Sequence, residues 1–109
     1  MAGLVSKETL RIELPEGQWA DVKKFLSYGD RRMIRASFLR TPNDMGTMET
    51  ANAVLLFRAV VDWSVTLDGK KAPITRENID ELDEEKFVVP LLEKMNELYR
   101  PLDESQKKV

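Results

Sequence analysis

The fold turns on residues 49–63, ETANAVLLFRAVVDW. Ala51, Ala53, Val54, Leu55, Leu56, Phe57, Ala59, Val60, Val61 and Trp63 leave only a narrow polar strip, which Arg58 and Asp62 share four residues apart. This spacing predicts one helix from Glu49 to Trp63, with Arg58 and Asp62 as an i,i+4 ion pair. A helix that is apolar nearly all round is the central one of its fold. Leu56, Phe57 and Trp63 are therefore expected in the core, with Trp63 closing it at the helix end. Truncating Leu56 or Phe57 to alanine is expected to cost about 2–5 kcal/mol.

Toward the N-terminus, Leu10, Ile12 and Leu14 alternate with Thr9, Arg11 and Glu13, the pattern of a strand with one face buried. Pro15-Glu16-Gly17-Gln18 supplies turn chemistry, and Trp19 to Phe25 is expected to return as a second strand, with Trp19 a core candidate. Two strands alone are barely stable in water, so helices must cover one face. Ser27 is placed to cap a helix running to about Leu39, with Asp30 at its favourable N-terminal end. Met33, Ile34 and Phe38 form its apolar side, and Arg31, Arg32 and Arg35 its wet side. Thr41 to Thr47, TPNDMGT, reads as a flexible loop.

Toward the C-terminus, Asp68-Gly69 turns the chain and Thr75 caps a short helix behind Pro73. Asp83 caps the last helix, whose stripe of Phe87, Val88, Leu91, Leu92, Met95, Leu98 and Tyr99 keeps helical phase across Pro90. A kink at Pro90 is expected there, with Phe87 and Leu91 in the core. The fold class is therefore α+β, mainly helical: an N-terminal β-hairpin followed by about four helices. Residues 1–100 read as a single small domain and 101–109 as a flexible tail.

The chemistry of the chain is limited by what it lacks. With no histidine and no cysteine in 109 residues, the commonest general base, the best nucleophile and thiolate metal sites are all missing. Asp83, Glu84 and Glu85 crowd together, but at a helix start they complement the helix dipole. Gly46 and Gly69 are isolated and build no phosphate-cradling loop, and Asn43-Asp44 offers too few oxygens for calcium. The expectation is a protein without catalysis, cofactor or metal. The longest apolar runs, 53–57 and 87–92, are far short of a membrane span.

The net charge of −2 hides an uneven distribution. Residues 22–40 hold six cations against one anion, and residues 76–104 hold ten anions against four cations. Such asymmetry marks a nucleic-acid surface, a head-to-tail self-association surface, or two faces that pair within one monomer. Trp19, Tyr28 and Arg31–Arg35 could stack bases and hold phosphates, but the acidic balance and the shortness of the patch favour structural tryptophan and solvated arginine. Self-association would set Arg31, Arg32 and Arg35 of one copy against Glu84, Glu85 or nearby acids of the next. Lys70 and Lys71, beside the Asp68-Gly69 turn, are further candidate protein contacts, with solvated lysines as the plainer reading.

One connected pattern goes further. Asp62-Trp63-Ser64-Val65, then Leu67-Asp68-Gly69-Lys70, then Ala72-Pro73-Ile74-Thr75 and the acidic 77–82 helix resemble tail assembly chaperones of long-tailed bacteriophages. Trp19-Ala20-Asp21-Val22-Lys23-Lys24 and Leu26-Ser27-Tyr28-Gly29-Asp30 are similar to the same group, so the likeness spans about residues 8–100. The resemblance implies a non-catalytic protein of the infected host's cytoplasm. Its partners would be the tape-measure protein, which it keeps soluble, and the tail-tube protein, whose assembly it helps. It also implies a longer, frameshifted form, with which the Gln106-Lys107-Lys108 run is compatible. The alternatives are a small structural virion protein of the neck, tail or capsid, and a small nucleic-acid-binding regulator.

Overall fold

The computed structural model describes residues 3–40 and 45–99. It is a mixed, mainly helical fold in which a small N-terminal sheet is followed by four helices. Strands β1 (Thr9–Glu13) and β2 (Trp19–Lys23) form the expected antiparallel hairpin, with Ile12 opposite Ala20 and Glu13 opposite Trp19. Its loop is a tight turn at Pro15–Gly17, closed by the Leu14 N–H donating to the Gln18 carbonyl at 2.8 Å. Ile12, Leu14, Ala20 and Val22 face the core, whereas Leu10 stays 41 % exposed near the open end of the edge strand.

Helix α1 (Tyr28–Arg40) begins at a reciprocal cap. The Asp30 N–H donates to Ser27 Oγ, and the Ser27 N–H donates to the Asp30 carboxylate, both at 3.1 Å. Two backbone donors that a helix start leaves without partners are satisfied at once. Ile34 packs against the core, but Met33 points outward and is exposed, because it lies off the buried Asp30–Ile34–Ser37 side of the helix. The side chain of Phe38 lies outside the described residues, as do residues 41–44 of the expected loop and residues 101–109, expected as a tail.

Helix α2 spans Met45–Ala59 and corrects the sequence reading at both ends. Residues 45–47, expected in the loop, are helical: a lone glycine such as Gly46 costs only about 1 kcal/mol against alanine and does not stop a helix. At the other end the helix stops at Ala59, and Val60–Trp63 forms strand β3, which pairs antiparallel with β2. The sheet is thus three-stranded, in the order β1-β2-β3. Two adjacent valines and a tryptophan suit a strand at least as well as a helix, and the open edge of β2 offers them a ladder. Val61 is the extra residue of a bulge: Asp62 opposes Asp21 and Val60 opposes Val22. The bulge lets Val60 and Trp63 both face inward, where strict alternation would separate them.

Trp63 therefore closes the core from a strand. It is 1 % exposed, its ring meets Phe87 edge-on at 6.1 Å between centroids, and its Nε1–H donates to the Ala72 carbonyl at 2.7 Å. Between Trp63 and Ala72 the chain makes a second, two-stranded hairpin, β4 (Thr66–Leu67) and β5 (Lys70–Lys71), rather than a plain helix connector. Asp68 and Gly69 turn it with φ of 52° and 79°, the left-handed pair that matches strand twist in a two-residue hairpin.

Helix α3 (Arg76–Asp80) starts at Thr75, whose hydroxyl accepts from the Asn78 N–H at 3.1 Å. The last helix starts at Asp83, whose carboxylate accepts from the Lys86 N–H at 2.9 Å. It is joined from a π turn (Glu84–Val88) and helix α4 (Val89–Leu98). Pro90 has no N–H and crowds the preceding turn. The irregularity expected there takes the form of that wide turn, in which the Val88 and Val89 N–H groups reach back five residues, to Asp83 and Glu84. Phe87, Leu91, Met95 and Tyr99 then pack under the sheet. The Tyr99 hydroxyl donates to the Lys23 carbonyl, and burial raises its pKa well above the ordinary value.

Candidate functional site

Several expected contacts resolve into structural roles. Arg58 and Asp62 do not pair with each other. Arg58 Nε reaches Asp30 at 3.0 Å and Lys71 Nζ reaches Asp62 at 2.9 Å. The break at Ala59 removes the helical spacing that would have joined them. Lys71, a candidate protein contact, is thus an internal tether of the second hairpin. Trp19 is not in the core: β2 turns Ala20 and Val22 inward and Trp19 to the outer face, half-buried. There the Arg11 guanidinium lies 3.7 Å from its ring centroid and Lys71 Nζ 5.1 Å. Arg11 also holds Asp21 at 2.8 Å, and that hydrogen bond raises its pKa. Phe57 is the other correction. It is 40 % exposed while Leu56 is 3 % exposed, because it lies about 100° round the helix from Leu56, off the side on which Ala51, Leu55 and Ala59 are buried. Arg76 of α3 lies over its ring, at 6.0 Å.

The charged candidates lie at the surface. Arg32 and Arg35 are exposed on the outer side of α1 with Tyr28, and Arg31 is half-buried at its edge. Glu84 and Glu85 are exposed on the π turn, and Lys70 is exposed in β5. Among the described residues no ion pair joins Arg31, Arg32 or Arg35 to Glu84 or Glu85.

What the sequence did not single out is a groove between α2, α3 and the π–α4 helix, with a volume of about 500 Å³. Its floor is apolar: Ala53 and Leu56 from α2, Ile79 from α3, and Val88, Val89 and Leu92 from the last helix. Its rim is acidic: Glu49 on α2, Asp80 on α3 and Glu84 on the π turn. None of these three carboxylates makes an ion pair among the described residues. Glu49, Asn52, Ala53 and Leu56 fall at i, i+3, i+4 and i+7, one face of α2. That row spans about 10 Å, or two turns. The spacing was legible, but the opposing wall comes from residues 79–92, and only the folded chain brings the two together.

A second cavity, of about 390 Å³, lies between the first hairpin loop and the start of the last helix. Several of its polar groups are partnered within the chain: Lys86 holds Glu16 at 2.8 Å, and Ser64 donates to Gln18. Among the described residues no group of three or more carboxylates is placed to hold a metal ion, and no helix is long and apolar enough to cross a membrane. The apolar floor of the groove between α2, α3 and the last helix is the kind of surface that can receive another polypeptide. Comparison of the chain with protein-family models, curated proteins and solved structures returned no match.

Proposed function

We propose that this chain is a non-catalytic binding protein of the tail assembly chaperone type. In this reading it holds helical segments of a bacteriophage tape-measure protein in the host cytoplasm and helps recruit tail-tube subunits. The observation that carries the proposal is the groove between α2, α3 and α4, whose apolar floor is the kind of surface that receives an amphipathic helix. The residues that carry the resemblance support it as structural parts. Trp63 anchors Ala72, Asp68-Gly69 turns the second hairpin, and Thr75 caps α3, so together they position one wall of the groove.

Coexpression with the tape-measure protein, followed by a solubility assay and pull-down, tests it. A tape-measure protein that becomes soluble and copurifies is the expected result. One that stays insoluble and unbound would overturn the proposal and direct the search to purified particles, where a structural virion component would be found.

A further inference from the structure

Resting on that reading, we infer that the groove between α2, α3 and α4 selects client helices whose apolar ridge is flanked by lysine or arginine. The floor supplies apolar contact along about one helical turn of each wall, Ala53–Leu56 and Val88–Leu92, within a groove about two turns long, the span of anchors at i, i+3 or i+4, and i+7. The rim supplies the discrimination. Glu49 stands on one wall and Asp80 and Glu84 on the other, and none has a cationic partner among the described residues. An acidic client flank would meet like charge on both sides, which is how interfaces reject wrong partners. A basic flank would gain partners without burying an unpaired charge.

A second copy of this chain is the obvious competing occupant, because α1 is basic. Its outer side, however, presents Tyr28, Arg32 and Arg35, while Ile34 is turned into the core of its own fold. Helix α1 offers the charge, but among its described side chains the exposed apolar groups are Tyr28 and Met33, five residues apart and so on different faces, which does not make the ridge that the floor requires. The occupant must bring both, which points to a separate polypeptide.

The test uses the full chain and three labelled helical peptides of about eighteen residues, read by fluorescence anisotropy. One carries the i, i+3/i+4, i+7 apolar ridge with lysine and arginine flanks, one the same ridge with glutamate flanks, and one the basic residues with the ridge scrambled. The basic-flanked ridge should bind at least about tenfold more tightly than either of the others, with the advantage shrinking as salt rises. Asp80→Asn with Glu84→Gln should remove most of the preference without adding charge, and Val89→Asp should abolish binding. Circular dichroism would check that each variant stays folded. Equal binding of the two ridge peptides, or equal binding of the scrambled one, overturns the inference. So does a peptide that fails to compete while Val89→Asp dissolves a homo-oligomer, since the groove would then hold a second copy. Coexpression separates the two levels. If the neutralised variant solubilises the tape-measure protein as well as the unmodified chain does, the charge selection falls and the chaperone reading stands. If the unmodified chain fails to solubilise it, the chaperone reading itself falls.

Discussion

Asp30 and Arg58, 28 residues apart, meet at 3.0 Å and tie the first turn of α1 to the last turn of α2. Lys23 of β2 approaches the same carboxylate at 3.0 Å, so one acid joins the sheet and both long helices. The Asp30 side chain is 1 % exposed, whereas both cations keep contact with solvent. The acid is therefore the costly partner to leave unmatched, and the cations can recover hydration if it is lost.

Asp30→Asn keeps the shape and an oxygen acceptor but turns the charge-assisted bonds from Lys23 and Arg58 into neutral ones, a difference of about 1 kcal/mol each. A loss of about 2 kcal/mol is expected by urea denaturation. Burial pushes the Asp30 carboxyl up, but hydrogen bonds from Lys23 and Ser27 outweigh it and hold its pKa below the ordinary 3.8. The folded value is thus the lower one. The stabilisation it carries is complete above the unfolded value and is lost as pH falls from about 4 through the folded value. The unmodified chain should lose stability over that window more steeply than Asp30→Asn. Parallel acid-titration curves for the two proteins would contradict the role assigned to Asp30.

Leu56 and Phe57 are neighbours in sequence and opposites in burial, at 3 % and 40 % exposed. Leu56→Ala should cost about 2–5 kcal/mol, as buried leucine truncations do. Phe57→Ala should cost less than about 1 kcal/mol, since it gives up a partly solvated ring and a cation contact. Chemical denaturation of the two variants side by side decides the matter, and similar losses would place Phe57 in the core as its sequence context suggested.

Trp63 combines packing with a hydrogen bond. Trp63→Phe leaves the Ala72 carbonyl without its donor and opens space beside Phe87. About 2–4 kcal/mol should be lost, combining an unsatisfied buried acceptor with a small cavity. Hydrogen exchange should quicken at the Ala72 amide, which donates to Val65 at 2.9 Å, because the strap over the core loosens. Unchanged exchange there would mean that the strap is held without Trp63.

How far the sequence reaches depends on the range of the interaction. The caps were legible because each is settled within four residues: Ser27 with Asp30, Thr75 with Asn78, Asp83 with Lys86. The alternation of 9–14 and the irregularity expected at Pro90 are local in the same sense. Val60–Trp63 was not legible as a strand, because a short apolar run satisfies helix and strand patterns alike. The edge of β2, some forty residues earlier in the chain, decides between them. Arg58 misled for the same reason, since a nearby Asp62 hid the distant Asp30. The groove had only half a signature, the 49–52–53–56 row, and its opposite wall exists only after folding.

The second hairpin gives a prediction from backbone geometry alone. Gly69 holds φ of 79° and Asp68 φ of 52°, both left-handed. A Cβ at Gly69 would meet nothing within 4 Å, so any cost of Gly69→Ala comes from the backbone rather than from crowding. Left-handed geometry costs a residue with a Cβ about 1–2 kcal/mol, and about 1 kcal/mol of stability should be lost. Asp68→Asn should be close to neutral or slightly stabilising, because asparagine tolerates the left-handed region well. The pair tests the turn without touching the core. If Gly69→Ala proves neutral in thermal unfolding while Asp68→Asn destabilises, the turn is not the left-handed pair described, and the Lys71–Asp62 tether that it positions must be set by other contacts.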